Sequence, residues 1–460
     1  MIGWSEIGRD VIRAKRTEKS FFVGYIVLCS VALAVALLPV RLPAQLIDGP
    51  YVAKHDMLGV RIQYMTGNLP TDNSLPHVVT EYLLRDISFQ EERPIMPGQE
   101  VTNRPILAPL VIVPFRAAFY LPVKLEEGLP KFNYVGSSWP DFSFLMKDET
   151  AYLSSLAIGI SLNALLLVAL GAFAIRLPLI NPYVATGTVA VFVTSPYFLF
   201  QTLYTWPKSL AAFFVLFAII LYDRLKLPIL AGVSFGLAYL SHPYAVVFFC
   251  CFGLYLLYQG VSKYLANEIQ LVGLRDLSVK TLVKSVAAFA AITLPWFLWS
   301  KFYLDIPSDL IAQNFFQPGQ QLLDSLWMRP VNFFNTLLPT HLLAVPFDIT
   351  RILIGGTVTA AGAVGILIYF FGVYYLVSER VGRSALYVLQ IYLPTTLLIF
   401  VFSNQAVPAL HGLQGPFALL TLLGVLQLYK SHSAVVAFCI LGAQVMLNIG
   451  LFVAYFSGLF

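Results

Sequence analysis

The chain has 460 residues, of which 58% are hydrophobic and 12% charged, with a formal net charge of +5. A soluble chain carries about a quarter charged residues, so this one lacks the polar surface to cover itself in water, and lipid is the solvent that fits. Its basic residues stand in short clusters between apolar runs, which points to membrane orientation and away from nucleic acid as a partner.

The N-terminal cluster Arg13, Lys15, Arg16 and Lys19 precedes the apolar run Phe21–Val40. A run of about twenty residues spans about 30 Å of hydrocarbon, and Leu38-Pro39-Val40-Arg41 offers no small-x-small cleavage site. Residues 1–20 therefore read as a cytoplasmic N-terminus and 21–40 as the first transmembrane helix. Residues 41–150 follow as a large extracytoplasmic loop. Within it, Ile106–Val123 is apolar but broken by Pro109, Pro114 and Pro122 and carries Arg116. That pattern predicts a helix lying in the interface or re-entering partway.

Further spans are expected near 151–175, 180–196, 209–222, 228–241, 244–258 and 285–302, the bundle 151–302. A second extracytoplasmic loop covers 303–351, and the stretches 352–377, 385–402, 414–428 and 433–457 form a C-terminal set within 352–460. The total is about eleven spans, an all-α integral membrane bundle. Inside loops would hold Arg176, Arg224, Lys226, Lys263, Arg275, Lys280, Lys284, Arg380, Arg383 and Lys430. The short outside loops hold almost none apart from Lys208, so the positive-inside rule agrees with a cytoplasmic N-terminus. Cys29, Cys250, Cys251 and Cys439 all lie in apolar runs and read as small buried hydrophobes. No Walker, dinucleotide or zinc signature is present; a divalent metal is conceivable chemically but has no ligand motif, and no cofactor is called for.

The segment after the first helix carries the candidate chemistry. Leu46-Ile47-Asp48-Gly49-Pro50-Tyr51 places Asp48 at the membrane surface. A helix is expected next, with Tyr51, Leu58, Ile62 and Met65 on one face, Lys54 and Arg61 on another, and Gly67 ending it. Asp48 can serve as that helix's N-cap, as a general base, or as both. The outward pair His55-Asp56 makes Asp56 the rival base. His242 and His411 stand at outer helix ends, where a satisfied interfacial histidine is the simpler reading beside a sugar or acceptor contact. Asp141, Asp148 and Glu149 read as solvated loop charges, and Trp139, Trp206 and Trp327 as rings able to stack on sugars.

The Asp48-Gly-x-Tyr51 string, the Gly67-x-Leu69-Pro70 ending and Arg104-Pro105-Ile106-Leu107-Ala108-Pro109 occur in that order. Ser195-Pro196-Tyr197, Tyr204-Thr205-Trp206-Pro207-Lys208 and Ser241-His242-Pro243 follow. Together they resemble the GT-C glycosyltransferases, in the branch of protein O-mannosyltransferases and aminoarabinose transferases. The likeness covers roughly the first 245 residues, with Gly412-Leu413-Gln414-Gly415-Pro416 as a late addition. It implies a polyprenyl-phosphate-linked sugar donor and a glycan, lipid or protein acceptor; the few cysteines and the lack of a eukaryotic retention signal point to a bacterial or archaeal cytoplasmic membrane. The family's base maps onto Asp48. The departing phosphate needs positive charge, for which Lys54, Arg61, Arg104, Lys208, Arg329 and Arg351 are candidates, and Tyr51 and His55 are possible sugar or acceptor contacts. Lys208 stands where related enzymes often carry an acidic residue, which weakens any two-carboxylate or metal-assisted scheme. Lys208 could equally be a snorkelling anchor. An O-antigen-type polymerase or ligase and a lipid or solute transporter are the alternatives.

Overall fold

The computed structural model describes residues 4–39, 59–69, 71–96, 99–103, 106–134, 137–175, 177, 180–223, 225–265, 280–306, 367–378, 393–402 and 412–456. These residues are mostly helical, with one short antiparallel hairpin, β1 (Lys131–Tyr134) and β2 (Ser137–Pro140). The first helix, α1 (Trp4–Ala36), starts ahead of the basic cluster and runs through it, and its stretch Lys15–Ala36 is long and apolar enough to cross a membrane. So are α4 (Glu149–Ala174) and Lys280–Leu304. The pair α5 (Pro182–Thr194) and α6 (Pro196–Leu203) passes the same test jointly but is bent by 63°. Ser195-Pro196 makes that bend: proline cannot continue α5 but suits the first turn of a new helix. The expected stretch 180–196 thus holds α5, and α6 extends the pair beyond it.

The chain continues through α7 (Lys208–Asp223), α8 (Pro228–Ser241), α9 (Ala245–Leu265) and α10 (Lys280–Leu298). A π-helical turn, Trp299–Leu304, extends α10. After residue 366 come α11 (Leu367–Ser378), α12 (Leu393–Phe402), α13 (Gln414–Ser431) and α14 (Ala434–Phe456). The helix α4 packs between α1 and α7, α8 packs between α7 and α10, and α5 rests on α1, α13 and α14. The α8–α10 approach is close because Gly232 faces the Ser285 backbone, where a Cβ would collide with the carbonyl. Ser285 Oγ donates to Pro228 O at 2.9 Å across the same crossing.

Between α1 and α4 the chain builds a layer on one end of the bundle from α2 (Leu75–Arg85), α3 (Leu107–Phe119) and the hairpin. Its buried apolar side chains, among them Val78, Tyr82 and Phe142, are continuous with those of α4 and α6. Several expectations change here. Gly59–Gln63 and Met65–Asn68 are 3-10 turns and not an α-helix ended by Gly67. Asp148 caps α4 by accepting from Ala151 N at 2.9 Å, and Asp141 accepts from Ser143 N at 3.1 Å, so both are structural caps. Glu149 accepts a hydrogen bond from Tyr64 Oη. Of the cysteines, Cys251 is buried but Cys250 and Cys439 are exposed.

The layer is held by an ion pair without exposed surface: Arg116 of α3 donates from Nε to Glu81 of α2 at 2.8 Å. Arg85 adds a second bond to Glu81 at 3.0 Å. One turn before Glu81, His77 sits between Ser155 Oγ at 2.8 Å and Leu145 O at 3.2 Å, edge-on to Tyr152. Burial lowers the His77 pKa from its ordinary value, Glu81 opposes that shift, and Arg116 and Arg85 reinforce it. The folded ring is therefore neutral at pH 7.

Two measurements test this layer. Glu81→Gln leaves Arg116 buried without its counter-charge and should cost about 3–5 kcal/mol in detergent unfolding, while Glu81→Met with Arg116→Met should recover most of it. Because the folded pKa of His77 is depressed, its contribution to stability is complete above about pH 6.5 and fades as pH falls below that value. His77→Gln should flatten the pH dependence of unfolding between about pH 7 and 5.

Candidate functional site

The site starts where α1 ends. Met65 N donates to Leu38 O at 2.8 Å, and Pro39 bridges Tyr64, so the chain returns beside the end of the first helix. Arg61 then organises the following turns. Its guanidinium donates to Thr66 O at 2.5 Å, to Ser74 Oγ at 3.0 Å and to Leu69 O. The residue has no exposed surface. Burial pulls its pKa down, and the nearby Tyr152, Tyr204 and Asp72 oxygens oppose that. Tyr152 Oη donates to Thr66 Oγ1 at 3.1 Å and ties the turn to α4.

The turn Thr71–Ser74, placed by Arg61 through Ser74, meets the α6–α7 junction. Asp72 accepts a hydrogen bond from Tyr204 Oη. Asn73 Oδ1 accepts from Thr205 N at 2.5 Å, and Thr205 Oγ1 donates to Asn73 O at 2.6 Å. Asn73 is 2% exposed, and its Nδ2 has no hydrogen-bond partner. From α4, Asn163 Nδ2 donates to Tyr204 O at 2.9 Å while its Oδ1 accepts from Leu210 N at 3.2 Å. One side chain thereby holds the junction and satisfies an open N–H of the first turn of α7.

Lys208, the first residue of α7, is 2% exposed. Its Nζ lies 5.5 Å from the Tyr204 ring centre and 5.2 Å from that of Trp206. The rings continue from Tyr204 to Trp206 at 6.1 Å, to His242 at 5.8 Å and to Tyr244 at 4.9 Å. Tyr244 Oη donates to Lys208 O at 2.7 Å, and His242 Nδ1 accepts from Tyr244 N at 3.3 Å. That acceptor role requires an unprotonated Nδ1.

Of the residues singled out from the sequence, the structure brings Arg61, Lys208, Trp206 and His242 to one place. Lys208 is not a snorkelling anchor with its head in water, because the amine is packed under two rings. Arg61 is directed into its own loop and holds the backbone there. Asp48, Tyr51, Lys54, His55, Asp56, Arg104, Arg329, Arg351 and His411 lie outside the described residues. Asp72, Asn73 and Tyr204 join the site without having been sequence candidates. Tyr204 lies 132 residues from Asp72, so no local spacing signals the contact. Among the described residues no group of three or more His, Cys, Asp or Glu could hold a metal ion.

The arrangement brings together a carboxylate, a buried amine, a buried amide N–H and a row of rings. No protein family, curated protein or solved structure matches this chain. Removing the guanidinium should expose how much rests on it. Arg61→Met leaves the Thr66 and Leu69 carbonyls without their charged donor, at about 1.5–3 kcal/mol for each lost bond. Limited proteolysis should then cut within residues 59–74 of the variant at protease levels that leave the wild type intact.

Proposed function

We propose that this chain is a polytopic membrane glycosyltransferase of about eleven spans. It would move one sugar, with inversion, from a polyprenyl-phosphate carrier to a glycan, lipid or protein acceptor on the extracytoplasmic face. The observation that carries this reading is the meeting of Asp72, Tyr204 and Lys208 beneath the loop layer, with Arg61 fixing the turn that delivers Asp72. A lipid substrate can approach that end of the bundle sideways from the bilayer. The order of short motifs resembling GT-C enzymes and the positive-inside pattern point the same way.

The chemistry assigns each group a task. A carboxylate accepts the proton of the acceptor hydroxyl as that oxygen bonds to the anomeric carbon. The bond from that carbon to the phosphate oxygen breaks, and polyprenyl phosphate leaves with the electron pair. Lys208 opposes its growing negative charge. The resemblance gives Asp48 as base with Asp56 as rival, and the described site adds Asp72. No cofactor is needed for this sequence of steps, nucleic acid has no part in it, and the setting is the cytoplasmic membrane of a bacterium or archaeon.

A transporter is the second reading, and the 63° break between α5 and α6 favours it. Broken helices line the substrate sites of many secondary transporters. One experiment separates the two: purified protein in nanodiscs, given a panel of synthetic polyprenyl-phosphate sugars, with wild type beside Asp48→Asn, Asp72→Asn and Lys208→Met. Transfer by the wild type, with a loss of about a hundredfold in the variant lacking the base, fits the proposal. Lys208→Met should lose about as much through the unopposed phosphate charge. A folded wild type that turns over no donor sinks the glycosyltransferase and moves transport ahead.

A further inference from the structure

The helix α3 is amphipathic in the reverse sense to a helix at a water surface. Its charged residue faces inward: Arg116 has no exposed surface, is bonded to Glu81, and lies 4.3 Å from the centre of the Tyr120 ring. Ala108, Pro109 and Ile112 are buried on the same side. The exposed face carries Leu110, 49% exposed, and, one heptad on from buried Ala108 and Ile112, Phe115, 55%, and Phe119, 67%, and the chain beyond adds Leu121, 71%, and Val123, 80%. No charge interrupts that face. In water the apolar side chains would turn in and the arginine out, because each exposed phenylalanine or leucine forgoes about 1.5–3 kcal/mol of burial. A contiguous apolar face of this kind marks a non-aqueous neighbour.

We propose that this face lies among the acyl chains of the membrane leaflet at the loop-bearing end of the bundle. Three features select lipid over a protein partner. The helix packs on α4, itself long and apolar enough to cross a membrane, and on the apolar helix α8, so its outer face adjoins the elements best suited to a bilayer. At 13 residues it reaches about 20 Å, too short to cross the hydrocarbon and suited to lying along its edge. The apolar face also stops at the Lys124–Asp86 ion pair, whose side chains are 69% and 74% exposed and mark where water begins. The Arg116–Glu81 pair thus ties a lipid-embedded helix to the layer that presents Asp72. This inference concerns the bilayer and stands apart from the sugar-transfer proposal.

The test uses the full chain reconstituted in phosphatidylcholine vesicles that contain lipids with a diazirine near the end of one acyl chain. After photolysis, adducts are mapped by peptide mass spectrometry. Adducts on 107–123 at a density near that on Lys15–Ala36 and Glu149–Ala174 support the assignment. Adducts on those two helices with none on 107–123 overturn it, whether water or a second copy of the chain covers the face. A second readout does not depend on the photochemistry. A bimane on Phe119→Cys, in a chain with its four cysteines replaced by serine, should be quenched by brominated acyl chains and shielded from aqueous iodide. Iodide quenching equal to that of a label on an exposed polar residue overturns the proposal.

Discussion

A guanidinium with no exposed surface has to find its acceptors inside the protein, and Arg61 finds them in Thr66 O, Leu69 O and Ser74 Oγ. Those three acceptors lie on successive turns, so satisfying the charge folds the segment Gly59–Ser74 around it. The other contacts follow from that placement. Thr66 is set to receive Tyr152 of α4, Ser74 starts α2, and Asp72 and Asn73 are delivered to Tyr204 and Thr205. The same constraint explains why this segment is not an α-helix: carbonyls occupied by a side chain are turned away from a helical ladder.

Within the bundle the ruling condition is that backbone and side-chain polar groups must be satisfied without water. The α6–α7 junction shows how this is met. An interruption between two helices leaves open N–H and C=O groups, and Asn163 and Asn73 close them from two different elements. Elsewhere serine and threonine bond back to carbonyls four residues earlier, as Thr188 does to Val184 O and Thr421 to Phe417 O, both at 2.8 Å. Such groups fill their own helix and leave its packing to shape. The α6–α7 junction, which meets the turn Thr71–Ser74, is where Tyr204, Trp206 and Lys208 collect.

Helix positions were legible in the sequence because they depend on local signals. The expected 228–241 coincides with α8, bounded by Pro228 at its start and His242-Pro243 after its end. The expected 209–222 and 414–428 fall within α7 and α13. The site was legible only in part. Lys208 and Trp206 drew notice as a cation and a ring at an outer helix end, yet their burial is a property of packing. Thr71-Asp72-Asn73-Ser74 reads as an ordinary polar loop, and what makes it a site is a tyrosine far along the chain. Arg61 was noticed as a charge facing outward, whereas its length let it turn inward and bond its own loop. A signal did exist for α3: one arginine in a proline-broken apolar run is costly unless it has a buried partner, and Glu81 is that partner.

Lys208 shows how these constraints combine. A cation at the first position of a helix opposes the helix dipole, and its burial adds a desolvation cost. The Tyr204 and Trp206 rings offset part of this, since a cation over an aromatic face gains about 0.5–2 kcal/mol. Asn73 Nδ2 adds an N–H at the same junction, on a buried side chain and itself without a hydrogen-bond partner. Asp72 takes the Tyr204 hydroxyl, and the centre of the same ring lies 5.5 Å from the Lys208 amine. A carboxylate and an amine thus meet at one aromatic residue, the first at its hydroxyl and the second at its ring, so the packing of Tyr204 sets the position of both.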